Sequence, residues 1–428
     1  MAAQNMDPLQ ERRQRLAKAL PLADGILVVG AGEPIPLPEG SDQTYPFRSH
    51  AEYFYLTGAE CAGGVVAYDP RDGASGWHSF VPTVTEAERV WEGRMQPPGS
   101  PLAGFEPWLA ARAKRPIAQL GAPRNGVVAN AALTAKVRDA FSHARRVKDG
   151  AEMALIRRAT AASTRGFAKV REILQPGLTE RALQIELEAE FFRGGGARTG
   201  YGTIVGSGPN AAVLHFEPTA RVIRPNEFVL IDAGAEVDRY MADVTRTFVA
   251  GRPSGFQRDL YQTVLEAEEG AIARCVAGTE WKAIHLAAAV DLVRGLVGMG
   301  VMRGAPESLV EQEAHTLFFP HGIGHMVGLG VRDGSGLAPG RVKDPRPSLR
   351  TLRMDLPLVP GYVVTVEPGL YFIPPLLQDP ARRARFHDVV NWSLVDQHLD
   401  LGGVRIEDNV LVTSAAPEVL TREIPKAL

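Results

Sequence analysis

Asp232 closes an apolar run, Phe228-Val229-Leu230-Ile231-Asp232, and a carboxylate on an otherwise buried run needs a partner. Asp243 follows within Tyr240-Met241-Ala242-Asp243-Val244-Thr245-Arg246-Thr247. Further on, His321 and His325 stand i, i+4 in Phe319-Pro320-His321-Gly322-Ile323-Gly324-His325, while Glu367 and Glu407 end or interrupt the β-rich runs 363–367 and 404–408. Singly these are ordinary features. An Asp at a strand end is usually a turn former, a strand Glu usually faces solvent, and a buried His is usually a hydrogen-bonded core residue. Together they form the oxygen-rich set with an imidazole that a pair of divalent cations uses for hydrolysis. Four carboxylates forced together raise one another's pKa steeply, whereas two dications cancel their charge. The glycines between the histidines argue against the helix of an HExxH zinc site and suit a tight turn that presents one imidazole. Period-2 geometry puts Thr365 on the face of Glu367, and Arg405 on that of Glu407.

Positioning these residues requires particular elements. A hairpin turning near Asp238 lays 228–232 beside 240–249 and brings Asp232 to Asp243. Further strands are expected at 203–205, 363–367 and 404–412, where β-propensity is high. Asp149 with Glu152 makes a capping box, and Met153, Ile156, Thr160, Ser163, Phe167 and Val170 then recur at helical spacing. Three more helices are expected at about 179–192, 256–276 and 280–299. Helices in runs and strands in runs predict an α+β fold, with helices on one face of a mostly antiparallel sheet. Residues 1–145 instead alternate strand runs such as Gly25–Gly30 and Gly64–Tyr68 with Pro/Gly loops, an α/β pattern. The boundary is placed at Arg145-Arg146-Val147-Lys148, giving domains 1–145 and 146–428.

Composition excludes several partners. Lys plus Arg number 47 against 49 Asp plus Glu, so no strong field recruits nucleic acid or an anionic membrane. No stretch reads as a membrane span, and Met1–Leu20 lacks the apolar core of a signal peptide. With only Cys61 and Cys275, at most one disulfide forms; a reducing, cytoplasmic setting is expected. Pro34–Pro38 reads as a surface loop. Gly30-Ala31-Gly32 has Ile35 where a third dinucleotide-binding glycine belongs, and neither a P-loop nor a GxSxG elbow occurs.

In these residues the chain resembles the prolidase and aminopeptidase P branch of the pita-bread metallopeptidases. The likeness runs from Tyr45-Pro46-Phe47-Arg48 through Val205-Gly206-Ser207-Gly208-Pro209-Asn210 to Gly403-Val404-Arg405-Ile406-Glu407-Asp408. It implies a curved, mostly antiparallel pita-bread sheet covered by helices, behind a smaller N-terminal domain. It also implies a dinuclear centre on Asp232, Asp243, His325, Glu367 and Glu407, with manganese first and cobalt or zinc after it. Glu367 becomes the acid/base, and His215 and His321 the groups that meet substrate or the reacting carbonyl. A homodimer acting on a small Xaa-Pro peptide is implied as well. The segment from Ser348 to Ile373 is similar to prolidases more than to aminopeptidases P, and points to Arg350 and Arg353 as substrate arginines. Arg405, beside Glu407, is read as orienting that carboxylate and bordering substrate. The family usually carries a histidine seven residues after the metal-binding one; here Arg332 stands there, and a guanidinium suits a carboxylate. The expectation is an Xaa-Pro dipeptidase, with a carboxypeptidase for terminal proline or an aminopeptidase P as alternatives. A metal-free hydrolase or binding scaffold is the minor one.

Overall fold

The computed structural model describes residues 7–38, 40 and 42–428, and the chain divides into two compact units, Met1–Arg145 and Arg146–Leu428. The first six residues of the N-terminal segment read above lie outside the described set. Among the described residues no helix is long and apolar enough to cross a membrane.

The first unit is built on a five-stranded sheet in the order Ser100–Pro101, Trp77–Val81, Val65–Tyr68, Ile26–Gly30, Ile117–Gly121. Ile26–Gly30 is an interior strand buried along its whole length, which is why it reads as an unbroken apolar run. It runs parallel to Ile117–Gly121 and antiparallel to Val65–Tyr68, so the sheet is mixed. Cys61 is buried here and Cys275 in the second unit, both as free thiols.

The second unit repeats one arrangement twice. Ile204–Ser207, Phe228–Ala233 and Val244–Val249 form an antiparallel sheet, and the helices Gly150–Ile173 and Glu180–Arg193 share its core through Phe167, Leu187, Phe191, Val229 and Ile231. Val363–Val366, Asp408–Leu411 and Glu418–Val419 form a second antiparallel sheet. Helices Gly255–Ala273 and Trp281–Gly298 join its core through Val264, Trp281, Leu292, Val364 and Val410. The capping box at Asp149 and Glu152 is present, and its helix runs for 24 residues. A Cβ at Gly166 would meet the Phe191 ring at 2.4 Å, so glycine lets these two helices approach. Gly166→Ala would cost about 1–3 kcal/mol through overpacking.

Two runs differ from the continuous strands expected of them. The run 240–249 splits into Tyr240–Met241 and Val244–Val249, and 404–412 into Gly403–Arg405 and Asp408–Leu411. The hairpin turn near Asp238 is real, with Asp238 and Arg239 both at positive φ (46° and 74°), the geometry of a tight two-residue turn. It joins Ala235–Val237 to Tyr240–Met241 only; Val244–Val249 pairs with Phe228–Ala233 beyond it. A single bridge, Thr245 to Glu407, links the first sheet to the run entering the second along a seam, and another, Met326 to Val364, ties the loop after His325 to the second sheet.

Candidate active site

The seam gathers the acids. Asp232 lies near the end of Phe228–Ala233, Asp243 in the break before Val244, Glu367 just past Val366, and Glu407 in the break before Asp408. His325 enters from the loop beside Val363–Val366, its backbone N–H donating to Thr365 Oγ1 at 3.1 Å. Ligand atoms of Asp243, His325 and Glu407 lie within 4.8 Å of one another. His325 Nε2 stands 3.5 Å from Asp243 Oδ2 and 3.7 Å from Glu367 Oε1. Its Nδ1 lies 3.1 Å from the Met326 carbonyl, so Nδ1–H donates there and the Nε2 lone pair faces the acids. That is the tautomer a cation takes.

Burial raises the carboxyl pKa of Asp243, and the charge of Asp232 adds to it. Burial does the same at Glu407, followed by the charges of Asp243, Glu367 and Asp232. Glu367 is pushed up to about 7 by burial, with Arg405 opposing and Asp232 reinforcing. Burial holds His325 neutral, its pKa lowered to about 4. The arginine reaching into this acid cluster is Arg405, which makes one ion pair there, to Asp232. A buried anionic excess around one aimed imidazole fits two dications, and oxygen-rich donors fit manganese, cobalt or zinc better than copper.

A second layer holds the acids in place. Tyr201 donates to Asp232 Oδ1 at 2.6 Å. Thr245 donates to Glu407 Oε2 at 2.7 Å. Thr365 donates to Glu367 Oε1 at 3.3 Å, the contact that period-2 geometry anticipates. Asn409, fully buried, grips the Asp243 backbone twice, accepting from its N–H at 3.0 Å and donating to its carbonyl at 2.6 Å.

Two sequence expectations change. Arg405 donates to Asp232 Oδ2 (2.6 Å), Tyr371 Oη (3.0 Å) and Thr245 Oγ1 (3.0 Å). It therefore orients Asp232 directly and Glu407 only through Thr245, and at 3% exposure it lines the cleft with these donors already engaged. His321 has both nitrogens engaged: Nδ1 lies 2.9 Å from the Gly322 carbonyl and Nε2 lies 2.8 Å from Tyr371 Oη. Nδ1–H must donate to the carbonyl, so Nε2 accepts from the tyrosine, and His321 presents ring carbon to the cleft rather than a donor. Tyr201, Tyr371, Thr245 and Asn409 went unnoticed in the sequence; only Thr245, two residues past Asp243, carries any local signal.

The acids open into a cleft of about 760 Å³ whose lining includes Tyr201, His215, His321, Arg332, Arg353 and Glu367. His215, Arg332 and Arg353 are exposed. Arg350 is elsewhere: it lines a neighbouring cleft with Arg382 and Arg385, because it closes the short helix Pro347–Arg350 and Arg353 lies beyond that helix.

Sheet, seam and acid cluster together define a pita-bread metallopeptidase. Residues 154–414 match Metallopeptidase family M24, and residues 9–105 match Aminopeptidase P, N-terminal domain. The chain belongs to metallopeptidase family M24. A probable Xaa-Pro aminopeptidase of Botryotinia fuckeliana is 31% identical over 94% of this chain and 90% of its own. Another, of Tuber melanosporum, is 30% identical over 94% and 89%. Among solved structures, Pseudomonas aeruginosa aminopeptidase PepP superposes with a TM-score of 0.78 at 28% identity, covering 98% of this chain and 96% of that one. Zn-substituted E. coli aminopeptidase P in complex with product gives 0.80 at 25% identity, with the same coverage.

Proposed function

We propose that this metal-dependent Xaa-Pro peptidase is an aminopeptidase, releasing the first residue of Xaa-Pro-Yaa and longer peptides. The dipeptidase expected from the sequence thereby becomes the second reading. It takes Arg332, helped by Arg350 or Arg353, as the hold on a proline carboxylate; Arg353 lines the cleft with Arg332, whereas Arg350 lines a different one. The observation that carries the aminopeptidase reading is the cleft itself: at about 760 Å³ it lies in the range that takes drug-sized ligands, with room for a residue beyond proline. The names of the relatives, matched along nearly their whole length, support it.

Asp232, Asp243, His325, Glu367 and Glu407 would hold two cations, manganese before cobalt or zinc. Bound there, the pair supplies the Lewis acidity that activates water and polarises the scissile carbonyl. Glu367 carries the proton from the attacking water to the leaving imide nitrogen; its side chain is 19% exposed to the cleft, against 6% for Asp243. His215, exposed in the lining of the cleft, donates to substrate oxygen as charge builds on it. His321, with no nitrogen to spare, serves as a wall for the proline ring. Arg332 and Arg353 pair with no acid among the described residues, and they hold the carboxylate of a short substrate. Cytoplasmic residence and a homodimer complete the reading, to be tested by fractionation and light scattering.

The deciding experiment is a hydrolysis panel of Xaa-Pro, Xaa-Pro-Yaa and a longer peptide ending in proline, with bound metal measured in the same preparation. Release of the first residue from Xaa-Pro-Yaa, faster than cleavage of Xaa-Pro, is expected. Cleavage of Xaa-Pro alone would restore the dipeptidase, and release of terminal proline would make the enzyme a carboxypeptidase.

A further inference from the structure

Arg332 sits on the loop that follows His325, and the way that loop is anchored bears on where the guanidinium points. Leu329 N–H donates to Asp333 Oδ2 at 2.9 Å, and Asp333 N–H donates to the Met326 carbonyl at 3.1 Å, folding 326–333 into a turn. The hairpin holds one side, with Met241 N–H donating to the Gly328 carbonyl at 3.1 Å. The other side is held by the segment that opens the second unit. Lys148 Nζ donates to Asp333 Oδ2 at 2.7 Å across 185 residues of sequence, and both side chains are 0% exposed. Arg146 Nε donates to the Gly334 carbonyl at 2.8 Å.

A lysine and an aspartate stripped of all water are costly unless paired, so the turn is not free to rotate Asp333 outward. Arg332 is exposed in the cleft while its neighbour Asp333 is fully buried. Fixing the buried residue of such a consecutive pair fixes the backbone there, and with it the direction in which the exposed residue's Cα–Cβ bond leaves the chain. The packing leaves no slack: a Cβ at Gly328 would meet Asp333 Oδ2 at 2.6 Å and Lys148 Cε at 2.7 Å.

We propose that Lys148 and Asp333 are positioning residues that aim Arg332 at the carboxylate of short substrates, so that specificity is set in part by a residue at the domain boundary. The inference rests on the peptidase reading above. It is tested by a thermodynamic cycle on the metal-loaded enzyme: Lys148→Met, Arg332→Ala and the double variant, each assayed on Xaa-Pro-Yaa and on its C-terminal amide. Lys148→Met should raise KM for the free acid about tenfold, the loss typical of one charge-assisted contact. It should leave kcat, metal content and the amide nearly unchanged, and have no further effect once Arg332 is Ala. Replacing both partners together, Lys148→Met with Asp333→Leu, avoids stranding a buried charge and should show the same loss of acid preference. An equal effect on acid and amide, or in both Arg332 backgrounds, would mean that the pair only holds the fold. An Arg332→Ala variant with wild-type kinetics on both substrates would also overturn the proposal. Failure of the peptidase reading is separate: it would appear in the wild type, as cleavage of Xaa-Pro but not of Xaa-Pro-Yaa, and the cycle still runs on Xaa-Pro and its amide.

Discussion

At the scale of single residues, the acids dominate. Asp243, Glu367 and Glu407 all have pKa values above the usual carboxylate range, burial being the first cause in each. A group whose folded pKa exceeds its unfolded one stabilises below the unfolded value, and loses that contribution as pH rises through the folded value. For Glu367 the window runs from 4.5 to about 7. Chelated protein should therefore lose Tm relative to metal-loaded protein as pH rises across that interval, because cations remove the repulsion; parallel melting curves would contradict it. Asp243→Ala and Glu407→Ala should abolish both metal binding and activity. His215→Ala should lower kcat by about 10²–10³, the usual cost of one oxyanion donor, with metal retained. His321→Ala should instead raise KM for proline peptides and erode the preference for proline. The four acids stand out in the sequence because carboxylates on apolar strands are conspicuous, while the choice of His325 over His321 comes from the family resemblance. Tyr201 and Asn409 do not stand out, since their partners lie 31 and 166 residues away and nothing local marks them.

At the scale of elements, helices read true and strands read too long. The helices Glu180–Arg193, Gly255–Ala273 and Trp281–Gly298 fall close to the periodic segments that announced them. The runs 240–249 and 404–412 are β-rich apart from Ala242-Asp243 and Glu407-Asp408-Asn409, and each changes partner midway. Tyr240–Met241 pairs with Glu236 and Val237, then Val244–Val249 with Phe228–Ala233. Gly403–Arg405 pairs with Gly369–Tyr371, then Asp408–Leu411 with Val363–Val366. Asp243 and Glu407 occupy the changeover points, where the strand leaves one ladder and the side chain is released toward the seam. Propensity is a one-strand property and cannot register an exchange of neighbours. Asn409 bridges one such point. Asn409→Ala should strand the Asp243 N–H and carbonyl at about 1–3 kcal/mol each, lowering both Tm and metal affinity in calorimetry, with the loss of affinity exceeding that of a core Val→Ala control.

At the scale of the whole molecule, the seam is braced from behind. Arg246, 1% exposed, donates to Asp408 Oδ1 and to the carbonyls of Thr245, Glu407 and Ile424. Lys426 pairs with Asp408 and Glu268. Arg246→Met would leave Asp408 short of a partner, and should destabilise by about 3–5 kcal/mol in denaturant titration, with metal content falling in step. The division at the basic segment could be read because composition and periodicity both change there; the brace could not, since it depends on the last few residues folding back. The two thiols give this architecture a readout. Cys61 and Cys275 lie one in each unit, with 7% and 0% exposure, and burial pushes Cys275 up to about 12. Neither sulfur reacts until its surroundings open. A thiol-modifying reagent thus turns each unit into its own clock: metal loading should lengthen the labelling half-time at Cys275, and the half-time at Cys61 then reports whether the N-terminal unit breathes with its neighbour or alone.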